Sequence, residues 1–175
     1  MHLVLVAILM VFCPAASADQ ATYDRLSLRE LLDMDGAIAR ELHDRGVIRS
    51  GNMTGDLAEH IFATAHGWDL AARSQKGFDA TDGNLRIQVK SRRVRSNASG
   101  YQLGAIRDLD SFDRLAVVIF DPGYRIRLAA ILPADLVRRE ADFNAYTNSY
   151  RLIFRHHLLS QDGVEDVTET LRAVY

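Results

Sequence analysis

The stretch that most constrains the fold is "RLAVVIFDPGYRIRLAAIL", residues 114–132. Arg114 to Phe120 is an apolar run of strand length, rich in β-branched residues, and typical of a strand buried on both faces. "PG" at 122–123 turns the chain, and "YRIRLAAIL" returns as a second strand. Helical patterns lie before and after this pair. Runs of strands flanked by helices predict a mixed α/β sandwich. At 175 residues and 48% hydrophobic, the chain suits one compact domain, placed at 24–175.

The helices are legible from caps and periodicity. Ser27 followed by Glu30 is a capping-box signature, Leu28, Leu31, Ile38 and Leu42 repeat at helical spacing, and Gly46 can end the helix. "TGDLAEHIFATAHG" predicts a second helix with Thr54 as cap, Asp56 in the first turn and Gly67 as stop. Its apolar stripe is Leu57, Ala58, Ile61, Phe62 and Ala65, with Glu59 on the flank. "PADLVRRE" predicts a helix with Pro133 in its first turn, "NSYRLIFR" an edge strand, and "VEDVTETLRAV" a closing helix.

Between these lies "WDLAARSQKGFDATDGNLRIQVKSRRVR". It predicts two short extended pieces, a turn at Asp82-Gly83, and a strand in which Leu85, Ile87 and Val89 face opposite to Arg86, Gln88 and Lys90. Hairpin pairing sets Asp79 across from the Gln88/Lys90 face. Asp79 and Glu59 are hard oxygen donors suited to Mg²⁺, with Mn²⁺ as substitute. A main-chain carbonyl near Val89 and the Gln88 amide oxygen can complete such a shell. Lys90 beside Gln88 can steady an attacking water or developing phosphate charge. Arg86, Lys90, Arg92, Arg93 and Arg95 place five positive charges in ten residues with no acid among them. The net charge of −2 argues against general polyanion binding, so any grip on a phosphate backbone rests on such a local patch. "SNASGYQLG" reads as a polar, mobile loop.

Of 21 Lys plus Arg, only Lys76 and Lys90 are lysine, and both flank Asp79. A lysine is a compact point charge that arginine's planar fork does not replace. Lys76 beside Gly77 reads as a phosphate-contacting or solvated residue. The alternative for the whole segment is a solvated hairpin with its charges outward. His60 and His66 lack a standard same-face ligand spacing, and His156-His157 reads as structural. The single cysteine, Cys13, excludes a disulfide framework and a cysteine metal site. Nucleophile-elbow and phosphate-loop motifs are both absent.

Residues 1–18 carry an apolar run from Leu3 to Phe12 and an Ala16-Ser17-Ala18 site, in the manner of a secretory signal cleaved after Ala18. The run is too short to span a membrane. The n-region holds no Lys or Arg, and the other reading is a start called too early.

The order "GDLAE … KGFDATDGNLRIQVKSRR" resembles the PD-(D/E)XK, or restriction-endonuclease-like, superfamily. Within it, the chain is similar to small bacterial domains of unknown function with a G-D-x-A-E helix, a K-G-[FY]-D-A strand and a Q-[IV]-K strand. The resemblance runs from Leu26 to Ala173. It implies an α-β-β-β-α-β core, with Asp79 as the motif aspartate, Lys90 as the motif lysine and Glu59 as the helix acid. Gln88 stands where the superfamily more often has Asp or Glu, which lowers the charge available to a metal. Tyr101, Gln102, Arg107 and Asp108 fall where the superfamily keeps substrate contacts. The implied function is Mg²⁺-dependent cleavage of phosphodiester bonds in nucleic acid, DNA above all. The alternative is a nuclease-fold module that binds nucleic acid or a protein without catalysis. A DNA-acting domain favours a cytoplasmic protein with an early-called start over export, and duplex cleavage favours a homodimer.

Overall fold

The structure is a computed structural model and describes residues 20–96 and 98–175. The leader, Cys13 and Ala18 lie outside the described residues. The chain divides after Glu41 into two units. The first holds α1 (Gln20–Tyr23) and most of α2 (Leu28–Asp44). The predicted capping box forms: the Ser27 N–H donates to Glu30 Oε2 at 2.8 Å, and the Glu30 N–H donates to Ser27 Oγ at 3.3 Å.

The second unit, Leu42–Tyr175, is a mixed α/β sandwich built on a mixed sheet with flanking helices. Helix α3 (Met53–His66) precedes β1 (Asp69–Leu70), β2 (Ala80–Asp82), β3 (Leu85–Arg93), β4 (Tyr101–Gln102), β5 (Arg114–Phe120) and β6 (Ile126–Pro133). Then follow α4 (Ala134–Glu140), β7 (Asp142–Asn144), β8 (Ser149–Arg151), β9 (Ile153–Phe154), a 3-10 turn (His156–Ser160), β10 (Glu165–Asp166) and α5 (Thr168–Val174). The main sheet has six strands in the order β1-β2-β3-β5-β6-β10. Among the described pairs of this sheet, β3–β5 alone is parallel.

The apolar run dictates this architecture. Strand β5 is buried from Leu115 to Phe120, and its side chains alternate between two cores. Ala116, Val118 and Phe120 join Ile87 and Val89 against α3 and α5, through Leu57, Ile61, Phe62 and Leu171. Leu115, Val117 and Ile119 meet Leu136 and Val137 of α4, with Tyr101 and Phe154 from the small β4–β9 sheet and Leu152 just before β9. Two covered faces are what a strand without a polar side requires.

Several local expectations shift. The α3 cap is Asn52, whose Oδ1 accepts from the Gly55 N–H; Thr54 lies inside the helix. Gly67 closes α3 in the left-handed region, as expected. The β2–β3 turn centres on Gly83-Asn84, because Asp82 pairs with Leu85. Pro133 stands at the N-cap of α4. "NSYRLIFR" splits into β8 and β9 in two small sheets, and the main-sheet edges are β1 and β10. The second half of the predicted loop is ordered into the core: Tyr101 and Leu103 are buried, and the Leu103 N–H donates to the Leu152 carbonyl. The described part of the β3–β5 crossover holds β4 and no helix, since Gly100 and Gly104 interrupt any helical period there.

Candidate active site

The site arises where β2 stops. Its last ladder contact is Ala80 with Ile87, extended by the Asp79 N–H donating to the Ile87 carbonyl at 2.8 Å. Beyond that, no described strand pairs with β3 on this edge, and the Asp79 side chain takes the place of one. Asp79 Oδ2 accepts from the Val89 N–H at 2.7 Å and from Gln88 Nε2 at 2.7 Å. The Val89 carbonyl points to the same open edge as its N–H, by the alternation of a ladder. Asp79, Gln88 and Val89 thus meet as the hairpin pattern predicts.

Glu59 reaches the site from α3, whose packed face is Leu57, Ala58, Ile61 and Phe62. Glu59 and Asp79 line one cavity of about 230 Å³ with Arg49, Ser50, Asp56 and Phe78. Burial lifts the Glu59 carboxyl above the usual carboxylate range. A hydrogen bond from Arg49 works against that lift, and the Asp79 charge adds to it. The Lys90 ammonium is half-buried, and burial pulls it below its ordinary value. The Asp79 and Glu59 carboxylates oppose that fall. Asp79, Glu59 and Lys90 therefore form one electrostatic cluster.

Gln88 and Lys90 look into a second cleft, of about 480 Å³, together with Lys76, Arg107, Asp108 and Ser111. The Asp79–Gln88 hydrogen bond joins the carboxylate-lined cavity to this lysine-lined cleft. Both lysines of the chain thus line one space. Gly77 sets this loop, with φ of +94°. The Ser111 hydroxyl donates at 2.9 Å to the Gly77 carbonyl, and a Cβ on Gly77 would lie 2.5 Å from Ser111 Cβ.

The arginines divide. Arg92, Arg93 and Arg95 line a surface groove of about 460 Å³ at the end of β3. Arg92 donates to the Gln102 carbonyl at 2.7 Å, and Arg93 lies 4.6 Å from the Tyr124 ring centre. Arg86 does not join them. It lies at the other end of β3, where its guanidinium and main-chain N–H bind Asp113 at 2.8–3.0 Å. Of the residues placed at substrate by resemblance, Arg107 and Asp108 line the lysine cleft, Gln102 lies in the arginine groove, and Tyr101 is core. His66 stacks against Trp68 and Phe62, which also stack on each other, and His156 and His157 are exposed.

Sequence reasoning missed Arg49 and Asp56. Buried Asp56 accepts from the Arg49 N–H at 2.7 Å and also from the Ser50 N–H. That anchors the α2–α3 loop and aims Arg49 at Glu59, to which its guanidinium is hydrogen-bonded. Asp56 was read only as a first-turn acid within the motif helix, and Arg49 only as part of the connection before it.

Among the described residues there is no cluster of three His, Cys, Asp or Glu. Asp79 Oδ1 and Glu59 Oε1 have no protein hydrogen bond among the described residues, and both carboxylates face one cavity. Mg²⁺ needs only one or two carboxylates, with waters and substrate phosphate completing its octahedron. The residues fit such a site, with fewer charges than three acids would bring.

No family model matches the chain, and no curated protein matches it. Among solved structures, the chain is similar to a bacterial homing endonuclease, I-Ssp6803I. The identity is 19%, the match covers 62% of this chain and 78% of that chain, and the TM-score is 0.38. No described helix is long and apolar enough to cross a membrane. The candidate site is the open edge of β3, whatever the fold that carries it.

Proposed function

We propose that this protein binds DNA and hydrolyses its phosphodiester bonds in the manner of a restriction-endonuclease-like nuclease. One observation carries the reading. Asp79, Glu59, Gln88 and Lys90 converge where β3 loses its neighbour, with carboxylates on one side and both lysines on the other. A phosphodiester needs both: oxygen donors for a cation, and positive charge for the phosphoryl oxygens.

Asp79 and Glu59 would hold Mg²⁺, assisted by the Val89 carbonyl and, once its amide turns, the Gln88 oxygen. When bound, the ion would supply Lewis acidity and make a bound water easier to deprotonate. The chain's own residues do the rest. Lys90, short of water in its half-buried place, faces the phosphoryl oxygens and holds the charge that builds on them. Lys76 and Arg107 add charge along the same cleft. Arg92, Arg93 and Arg95 grip the backbone beyond it, in a contact that salt weakens.

A second reading rests on two contacts: Gln88 already donates to Asp79, and Arg49 already neutralises Glu59. A site so balanced without a cation suits a nuclease fold that binds nucleic acid without cutting. Supercoiled plasmid and single-stranded DNA, incubated with the protein in Mg²⁺, Mn²⁺ or EDTA, separate the two. Metal-dependent nicking lost in Asp79→Ala supports the nuclease. Salt-sensitive binding without nicking in any metal supports the binding module.

A further inference from the structure

Arg49 lines the cavity that the proposed cation would enter, beside Glu59 and Asp79. Its Nη2 is hydrogen-bonded to Glu59 Oε2, and its Nη1 donates to the Ala71 carbonyl at 3.1 Å. Ala71 in turn donates its N–H to the Asp79 carbonyl at 2.9 Å, so Arg49 is braced against the strand that leads into the site. Asp56 fixes the Arg49 main chain from below.

The local charge is informative. Asp56, Glu59 and Asp79 face Arg49 and Lys90, which leaves one negative charge in excess. A divalent cation reverses that sign while Arg49 stays in place. Arginine does not lose its proton in a protein, so the conflict resolves only by weaker binding of the ion or by outward movement of the guanidinium. The Arg49 side chain keeps 27% of its surface exposed, against 18% for Glu59, so it borders solvent and has a way out.

We infer that Arg49 is a positioning residue that competes with a divalent cation for Glu59 and so sets how tightly the site takes that cation. This rests on the metal-dependent reading of the same site. Arg49 holds Glu59 in its rotamer when no cation is present and opposes the cation when it arrives. Asp79 is then the carboxylate that first engages the ion, and Glu59 engages as Arg49 leaves.

The test is direct binding of Mn²⁺, followed by the electron paramagnetic resonance signal of the free ion. The proteins are wild type, Arg49→Gln, Arg49→Met, which keeps the packing of the stem, and Arg49→Lys. Circular dichroism identifies the variants that fold. Arg49→Gln and Arg49→Met are expected to bind Mn²⁺ about tenfold tighter, since a charged competitor is removed. They are also expected to gain more in Tm on Mn²⁺ addition than wild type. Arg49→Lys should stay near wild type. Adding Glu59→Gln should abolish the gain in affinity. Wild-type binding with no gain in either neutral variant overturns the competition alone. A gain that survives Glu59→Gln overturns it too. Absence of Mn²⁺ binding in every protein removes the metal site and the competition together.

Discussion

At the scale of single residues, Gln88 decides how the site stands without a cation. Its amide nitrogen donates to Asp79 at 2.7 Å, which needs no metal. Gln88→Glu sets one carboxylate against another, a repulsion that a divalent ion relieves. The variant should melt below wild type in EDTA and gain more in Tm from Mn²⁺ than wild type does. Equal shifts in the two proteins would count against a cation at this position. Asp79, Gln88, Lys90 and Glu59 were legible in the sequence because a short hairpin and one amphipathic helix fix where they point. Arg49 and Asp56 were not. Their roles depend on a loop folding back on α3, and a lone Arg in a polar connection looks like any solvated charge. Arg86 misled for the converse reason: charge clustering along a strand says nothing of a partner 27 residues away.

Among the elements, β3 is pinned at one end and open at the other. The pinned end is the Arg86–Asp113 pair, which holds the Asp113 carboxyl at about 2, well below its ordinary 3.8. The cause is the Arg86 side-chain hydrogen bonds, then its main-chain N–H. A folded-state value below the unfolded one means the unfolded chain binds the proton more readily. The pair's contribution is therefore full above pH 3.8 and is lost as pH falls through about 2. Asp113→Asn should flatten the Tm-against-pH curve in that window; an unchanged curve would remove the pair from the account. The open end depends on Gly77. Gly77→Ala meets both a positive φ and Ser111, and should cost about 2 kcal/mol or more in denaturant melts. Gly83→Ala has a positive φ in open space and should cost nearer 1 kcal/mol. Equal costs would mean the Ser111 contact does not hold the loop. The strands β3, β5 and β6 and the helices α2 and α3 were readable from period and caps. The turn shifted by one residue because pairing, not the Asp-Gly signal, set the register. Strand β4 escaped notice because two buried side chains in a polar, glycine-bearing segment give no period to read.

For the whole molecule, the two-sided core around β5 holds α3 on one face and the β4–β9 sheet on the other. The carboxylates and the lysines thus reach the edge of β3 from a rigid frame, which is what preorganised charge requires. The mixed α/β sandwich followed from one apolar run; the β4 pairing in the described part of the crossover did not, because pairing of residues 101–106 with 150–154 is a long-range event. This edge is proposed as a phosphodiester-cleaving centre. The most direct measurement is the initial nicking rate of a singly labelled duplex in Mg²⁺ by wild type and by Lys90→Met, at matched Tm and matched DNA occupancy. Lys90→Met should lower the rate by about a hundredfold or more, as when a preorganised charge is removed from a developing anion. A rate equal to wild type, or no nicking by wild type with DNA fully bound, would contradict it.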